Sequence, residues 1–438
     1  MSRSLFGTDG IRGVAGQPPL DPATVFAFGA ALGEWVSHHA SRRIVIGMDT
    51  RESGPSLAAT VAAGLATSGV ETCFAGITTT PGVAHLARTE DFAAGLMISA
   101  SHNPFQDNGL KVFDHTGFKL PDSEELLLEQ RIFSLLARQP AAESTPLTVD
   151  PAFDRHYLEY LASTFHGTFR GQKIVLDCAH GAAAHIGPEL FQTLGAEIVT
   201  IGCQPDGRNI NLNCGALHVD NLRQRVLAEG ASFGAAFDGD ADRCILVSSS
   251  GKIIDGDHCL LIAARRIRPA SVVATVMSNL GLERALAADG MSLIRTAVGD
   301  RYVIEEMLRS NLPLGGEQSG HVIFRDFATT GDGLLTALRI LEAAVDANST
   351  LDQLCEGFTV YPQLLVNVRF QTRRPLEELP SVQQEIRETE AEFGDAGRVL
   401  VRFSGTEPLA RVMVEGPTLE RVKTRANQIA AAIQAALS

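Results

Sequence analysis

Apolar residues along this chain switch period again and again. Short β-branched runs, Arg43–Met48 (RIVIGM) and residues 96–99, 173–176, 197–201 and 271–276, are each followed by Gly, Asp, Ser or Asn, then by apolar positions at helical spacing. Strand, polar turn and helix in repetition predict an α/β fold of β-α-β units with mixed, mostly parallel sheets. Each strand-to-helix junction is a sheet's carboxyl edge, where open α/β sheets bind ligands. Residues 138–151 carry Pro and Ser and keep neither period, which predicts a linker. From 233 to 254 the pattern reads strand, polar loop, strand, Ser-Ser-Gly turn, strand, and residues 336–347 read as a helix. The last stretch differs: 364–370 alternates as a strand, 398–402 and 409–415 look like two more, and 418–437 is an amphipathic helix. Leu419, Val422, Ala426, Ile429, Ile433 and Leu437 fall on one face of it, suited to a core. The division expected is three α/β domains over 1–145, 146–248 and 249–362, with a smaller α+β domain over 363–438.

A length of 438 residues suits several domains. The charge sum, 37 Lys+Arg against 51 Asp+Glu, gives −14, which repels phosphate backbones on average and argues against nucleic acid as a partner. The 7 cysteines show neither CxxC pairing nor zinc spacing, so they read as reduced core thiols. The opening residues lack the apolar stretch of a signal peptide, and no run is long and apolar enough to span a bilayer. The expectation is a cytoplasmic protein with no membrane partner.

Four loops carry the candidate chemistry. Asp238-Gly239-Asp240-Ala241-Asp242-Arg243 follows an apolar strand with three acids at alternate positions. Such acids repel one another unless a hard divalent cation sits among the oxygens. An EF-hand would need Gly and Glu where Arg243 and Ser249 stand, so a magnesium ion fits better. A solvated acidic turn is the alternative. Ser99-Ala100-Ser101-His102-Asn103-Pro104 follows another strand, with Lys111 beyond. Ser101 is a candidate nucleophile or phosphate carrier without the GxSxG elbow, and Lys111 a phosphate partner or proton carrier. Arg402-Phe403-Ser404-Gly405-Thr406-Glu407-Pro408 with Arg411 reads as an anion cradle, or as a hairpin turn bearing surface arginines. Gly316-Glu317-Gln318-Ser319-Gly320-His321 sets Glu317, Ser319 and His321 at alternate positions, pointing one way if the segment is extended. Arg12 and Arg301 each sit among small residues in further loops.

With SASHNP at Ser101, DGDADR at Asp238, GEQSGH at Gly316 and RFSGTEP at Arg402 in this order, the chain resembles the α-D-phosphohexomutase superfamily along essentially its whole length. The opening FGTDGIRG and the VGDRYV at Val298 resemble its bacterial phosphoglucosamine mutase branch. The resemblance implies a four-domain, heart-shaped architecture and a serine, Ser101, that carries phosphate. It also implies one Mg²⁺ per subunit on Asp238, Asp240, Asp242 and the phosphoserine. Glu317 and Ser319 would hold sugar hydroxyls, and Arg243 and Arg301 would contact substrate. Arg402, Ser404, Gly405, Thr406 and Arg411 would hold the idle phosphate. Lys111, His321 and Arg12 become the remaining catalytic candidates, with Lys111 and His321 unranked as acid and base. The implied reaction is the interconversion of glucosamine 6-phosphate and glucosamine 1-phosphate through a 1,6-bisphosphate, which also serves as primer, for UDP-N-acetylglucosamine synthesis. A homodimer is suggested. The same chemistry on mannose or glucose phosphates, or an idle sugar-phosphate-binding protein, are the rivals. Ala241 stands where many members have Gly; its Cβ is cheap only outside the left-handed region, and the metal loop is expected to be intact.

Overall fold

The computed structural model describes residues 5–7, 9–138, 143–404 and 408–437. The chain divides into two compact units, Met1–Met277 with Ile294–Glu356, and Ser278–Leu293 with Gly357–Ser438. In the first unit, strands β1 (Phe6–Gly7), β2 (Gly10–Val14), β3 (Arg43–Met48), β4 (Glu71–Ile77), β5 (Ala94–Ile98) and β6 (Asp107–Asp114) form a sheet in the order β1-β2-β6-β5-β3-β4. A second sheet, β11-β10-β9-β7-β8, is built from β7 (Lys173–Asp177), β8 (Glu197–Ile201), β9 (Phe233–Phe237), β10 (Cys244–Ser248) and β11 (Ile253–Ile254). A third, β13-β12-β14-β15, takes β12 (Ser271–Thr275), β13 (Ser292–Thr296), β14 (Leu314–Gly316) and β15 (Val322–Phe324).

Alternation across a strand sorts the first sheet's core onto two faces. Ile44, Ile46, Leu96 and Ile98 pack with Val25, Phe28, Leu32, Val61 and Leu65. Val45 and Met97 pack on the other side with Val83, Leu86 and Phe113. Both faces are covered, so β3 and β5 read as continuous apolar runs. Gly64, which interrupts the apolar stretch 58–66, lets the helices Pro22–Ser37 and Gly54–Ala66 touch backbone to backbone: a Cβ there would lie 2.4 Å from the Phe26 carbonyl oxygen. The sheets are mixed, as expected. Parallel pairing runs through β5-β3-β4, β9-β7-β8 and β12-β14, while β1, β2, β6, β10, β11 and β15 add antiparallel pairs at the edges. Apart from the β2-β6 pair, these antiparallel pairs are hairpins, which need only a short turn where a parallel neighbour needs a crossover.

The second unit holds the antiparallel sheet β16-β18-β17, from β16 (Gln363–Arg369), β17 (Arg398–Phe403) and β18 (Leu409–Glu415), under the helix Leu419–Leu437. Val422, Ala426, Ile429, Ile433 and Leu437 are buried as the pattern required, whereas Leu419, the helix's first residue, is 49% exposed. Residues 278–293 group with this unit. Asn279 explains the excursion: its Nδ2 donates to the Tyr361 carbonyl (2.9 Å), its Oδ1 accepts from the Tyr361 N–H (3.0 Å), and the next residue, Leu280, donates to Glu415 Oε1 (3.0 Å).

Candidate active site

The serine loop, after β5 of the first sheet, and the acidic loop, after β9 of the second, meet at Ser101. Ser101, after β5, is 1% exposed and donates from Oγ to Asp238 Oδ2 at 2.6 Å. Its φ is +51°, a left-handed backbone that a side-chain-bearing residue adopts only when its surroundings impose it. Asp238, Asp240 and Asp242 follow β9, are all buried, and bring one carboxylate oxygen each within 4.8 Å of one another. Among the described residues no other group of acids, histidines or cysteines is so disposed. Burial, then Asp242 and Asp240, push the Asp238 carboxyl well above its ordinary range. Asp240 Oδ1 and Asp242 Oδ1 are buried with no hydrogen-bond partner. Converging, orphaned, all-oxygen donors fit a hard divalent cation and little else. Ala241 at the loop's turn has a φ of +57°, against the condition placed on it above, so its Cβ costs about 1–2 kcal/mol. The loop keeps the left-handed turn because both sides tie it: the Gly333 N–H donates to the Ala241 carbonyl (2.9 Å) and the Ala241 N–H to that of Asp238 (3.0 Å).

The helix Thr80–Thr89 supports this loop from below. Thr79 caps it by accepting the Gly82 N–H (3.0 Å), Pro81 fits its first turn, and Thr80 is left with a free N–H and hydroxyl at the positive end. The Thr80 N–H donates to the Asp240 carbonyl (3.0 Å) and its Oγ1 to Asp240 Oδ2 (2.5 Å). No sequence motif marked Thr80; the Thr-Thr-Pro at a helix start after β4 was the available signal.

Charges alternate around the acids. Lys111, on β6 and 1% exposed, places Nζ 2.8 Å from Asp240, 3.0 Å from Asp9 and 3.9 Å from Asp242. Burial pulls its pKa down, but Asp240, Asp9 and Asp242 prevail and hold it well above the usual lysine range. Lys119 bridges Asp9 and Asp300, and His321 lies 3.7 Å from both Asp300 and Asp242. Lys111, Asp9, Lys119, Asp300, His321 and Asp242 thus close a ring of alternating base and acid. Sequence reading singled out the arginines of the Asp9 and Asp300 loops and missed the acids. The Gly331 N–H donates to His321 Nε2 (3.0 Å). Burial disfavours the imidazolium, but Asp242 and then Asp300 prevail and raise the His321 pKa, while the Gly331 N–H, which can donate only to an unprotonated Nε2, favours the neutral ring with its proton on Nδ1, toward Asp242.

Arg12 pairs with Asp9, and Arg243 Nε lies 3.8 Å from Asp242 Oδ1; the Nε of each is buried without a hydrogen-bond partner, a donor open to an anion. His102 stands 3.3 Å from Ser101 Oγ, pulled down to about 4 by burial, Arg243 and Arg12. Glu317 and Ser319 lie in a turn between β14 and β15, closed by the Gly320 N–H on the Glu317 carbonyl (3.1 Å), not in the extended segment expected, because β14 and β15 pair as a hairpin. Ser319 is exposed, with Oγ 3.5 Å from Glu317 Oε2, while His321 turns inward to the ring. Arg301 is not presented at the site: buried, it donates to the Leu120 carbonyl and pairs with Glu125 and Asp122.

In the second unit, Arg402 and Arg411 stand directly opposite across β17 and β18. Like charges so placed repel. Burial and Arg411 pull the Arg402 pKa down, and its Nε has no hydrogen-bond partner. Ser404 is buried at the strand's end. Such a pair suits an anion between them. Gly405 and Thr406 lie outside the described residues.

Four family models cover the chain: phosphoglucomutase/phosphomannomutase alpha/beta/alpha domain I over residues 3–139, domain II over 155–251, domain III over 255–361, and the C-terminal domain over 365–432. A phosphoglucosamine mutase of Solibacter usitatus is 58% identical over 441 residues, spanning 99% of both chains. One from Proteus mirabilis is 47% identical, again over 99% of both. Among solved structures, a phosphoglucomutase/phosphomannomutase family protein of Burkholderia thailandensis superposes with a TM-score of 0.81 at 25% identity, covering 100% of this chain and 98% of that one. An Aspergillus fumigatus N-acetylphosphoglucosamine mutase, solved with GlcNAc-6P and magnesium, shares the fold at 18% identity, with a TM-score of 0.65 over 100% of this chain and 96% of its own.

Proposed function

Because the chain belongs to the phosphoglucosamine mutase branch of the phosphoglucomutase/phosphomannomutase family, we propose that it interconverts glucosamine 6-phosphate and glucosamine 1-phosphate, by way of a phosphorylated Ser101 and glucosamine 1,6-bisphosphate. The observation that carries this reading is the buried Ser101 hydroxyl set 2.6 Å from Asp238 at the edge of three converging carboxylates. A plain turn has no use for a strained serine there. The product would feed UDP-N-acetylglucosamine synthesis.

Ser101 Oγ bears the phosphoryl group between turnovers and gives it to one sugar hydroxyl; the other phosphate then returns to the same oxygen after the sugar has turned over. Asp238, Asp240 and Asp242 would hold the divalent cation, which when bound neutralises charge on the transferring group. The aspartates do no proton work. Lys111 Nζ, kept as an ammonium by its carboxylates, is assigned the acid role, and His321, unprotonated at Nε2, the base role. Arg12 and Arg243 offer their open Nε donors to the phosphoryl oxygens. We assign Glu317 and Ser319 to sugar hydroxyls, and Arg402, Ser404, Gly405, Thr406 and Arg411 to the non-reacting phosphate. Arg301, committed to acidic partners, is assigned no contact with substrate in this conformation. A −14 chain can bind an anion because cations are concentrated locally, with Arg12, Lys111 and Arg243 set among the acids. A homodimer and a bisphosphate primer complete the proposal. Among the described residues no helix is long and apolar enough to cross a membrane.

The test is a coupled assay with Mg²⁺ and a trace of sugar 1,6-bisphosphate on glucosamine, glucose and mannose 6-phosphates side by side. Fastest formation of glucosamine 1-phosphate is expected. Faster turnover of glucose or mannose overturns the substrate, and free phosphate in place of isomerised sugar overturns the reaction.

A further inference from the structure

Arg51, two residues beyond Asp49 in the turn that follows β3, has a side chain with no exposed surface, and all five of its guanidinium N–H groups are committed. Nε donates to Asp49 Oδ2 (2.9 Å), Nη1 to the carbonyls of Pro104 and Asp107 (3.0 Å for the latter), and Nη2 to those of Ser101 (2.9 Å) and Asn103 (2.8 Å). Three of the five thus reach across to the serine loop and one to the start of β6. Asp49 works on the other side of the same residue: its Oδ2 accepts from Ser99 Oγ (2.6 Å), and Ser99 Oγ accepts the Ser101 N–H (2.8 Å). Both backbone groups of Ser101 are therefore tied to one buried ion pair. Asn211 Nδ2 adds a second donor to the Ser101 and Asn103 carbonyls, at 2.9 and 3.1 Å.

A left-handed serine relaxes to negative φ unless its flanking peptides are held, and that relaxation would swing Oγ away from Asp238. We propose that Arg51, acting with Asp49 and Ser99, is a positioning residue that holds Ser101 in this conformation and so keeps its phosphoryl group in line for transfer. The proposal rests on the reading of Ser101 as the phosphate carrier. Arg51 touches neither sugar nor phosphate, so its loss moves the rate of transfer and not the binding of substrate.

The experiment compares wild type with Arg51→Lys and Ser99→Ala, each phosphorylated by glucosamine 1,6-bisphosphate. Lysine keeps the charge but loses the fork, and the alanine removes one oxygen without changing the backbone. The expected result in each is a fall in kcat, about a hundredfold for Arg51→Lys since an ångström of misplacement costs that much, with KM within about twofold. The ³¹P resonance of the phosphoserine should move toward that of free phosphoserine, which a merely structural role would not cause. Should Arg51→Lys fail to fold, Ser99→Ala decides alone. Folded variants with wild-type kcat and an unmoved resonance overturn the brace while leaving the mutase reading intact. Wild type that neither takes phosphate on Ser101 nor isomerises sugar overturns the mutase reading itself.

Discussion

Replacing Thr80 by valine deletes one hydroxyl from beneath the acidic loop and leaves shape and backbone alone. Asp240 Oδ2 has two donors, Thr80 Oγ1 at 2.5 Å and Lys111 Nζ at 2.8 Å, while Oδ1 is the orphan available to a cation. With the hydroxyl gone, only the flexible lysine fixes the carboxylate's rotation. A hydrogen bond to a charged group is worth about 1.5–3 kcal/mol, which at about 1.4 kcal/mol per decade is a tenfold to hundredfold effect. Residues that orient metal ligands from behind show the same range in metal affinity. Thr80 sits behind Asp240, a proposed metal ligand, so the loss should fall on metal binding. The half-saturating Mg²⁺ concentration for isomerisation is expected to rise ten- to a hundredfold, and excess Mg²⁺ to bring kcat back to within a few-fold of wild type. Direct Mn²⁺ titration should show the same weakening, and Thr80→Ser should behave as wild type. A Thr80→Val enzyme with unchanged Mg²⁺ dependence, or a lost kcat that no Mg²⁺ concentration restores, would refute the reasoning.

Arg402→Met removes one of the two arginines that stand opposite each other across β17 and β18. Its KM for sugar phosphate should rise at least tenfold with kcat little changed, the pattern of lost uniform binding, and an unmoved KM would exclude Arg402 from holding phosphate. His85 is buried with both ring nitrogens unpartnered, and burial, then Arg88 and His156, hold its pKa down to about 3. The unfolded chain takes up a proton below about pH 6.5 that the folded chain refuses, so stability is full above that pH and is lost as pH falls toward the folded value, by about 2 kcal/mol between pH 7 and 5. Urea unfolding at the two pH values should show that loss in wild type and a smaller one in His85→Phe; equal slopes would mean His85 is not the group responsible.

The strands and their carboxyl edges were legible because each is an apolar run ended by a turn residue, and both signals are local. The loops at Ser101, Asp238 and Arg402 were legible for the same reason: their chemistry lies within a few consecutive residues. What escaped is what the fold brings together. Arg51 and Ser101 are 50 positions apart, Thr80 and Asp240 160, and Lys119 and Asp300 181, and nothing near any of them in sequence says that it is buried against a partner. Arg301 misled for the complementary reason. An arginine among small residues reads the same whether it faces a ligand or, as here, Glu125 and Asp122.

The balance between strain and support also decides how Ala241 and Ser101 can both be left-handed in one site. Each alone costs about 1–2 kcal/mol relative to an ordinary backbone, and neither is a glycine that would lower the cost. Glycine would also lower the barrier to leaving the conformation, because it visits negative φ as readily as positive. A side chain at both positions, held by Arg51, Asn211 and the Gly333 N–H, makes the wrong conformations lead nowhere that keeps those hydrogen bonds. In the reaction proposed above, which requires the same serine oxygen to give and then retake a phosphoryl group from a sugar that has reversed, the enzyme's side of the geometry has to stay fixed while the substrate's changes. Rigid supports beneath both loops, paid for in backbone strain, are the physical form that requirement takes here.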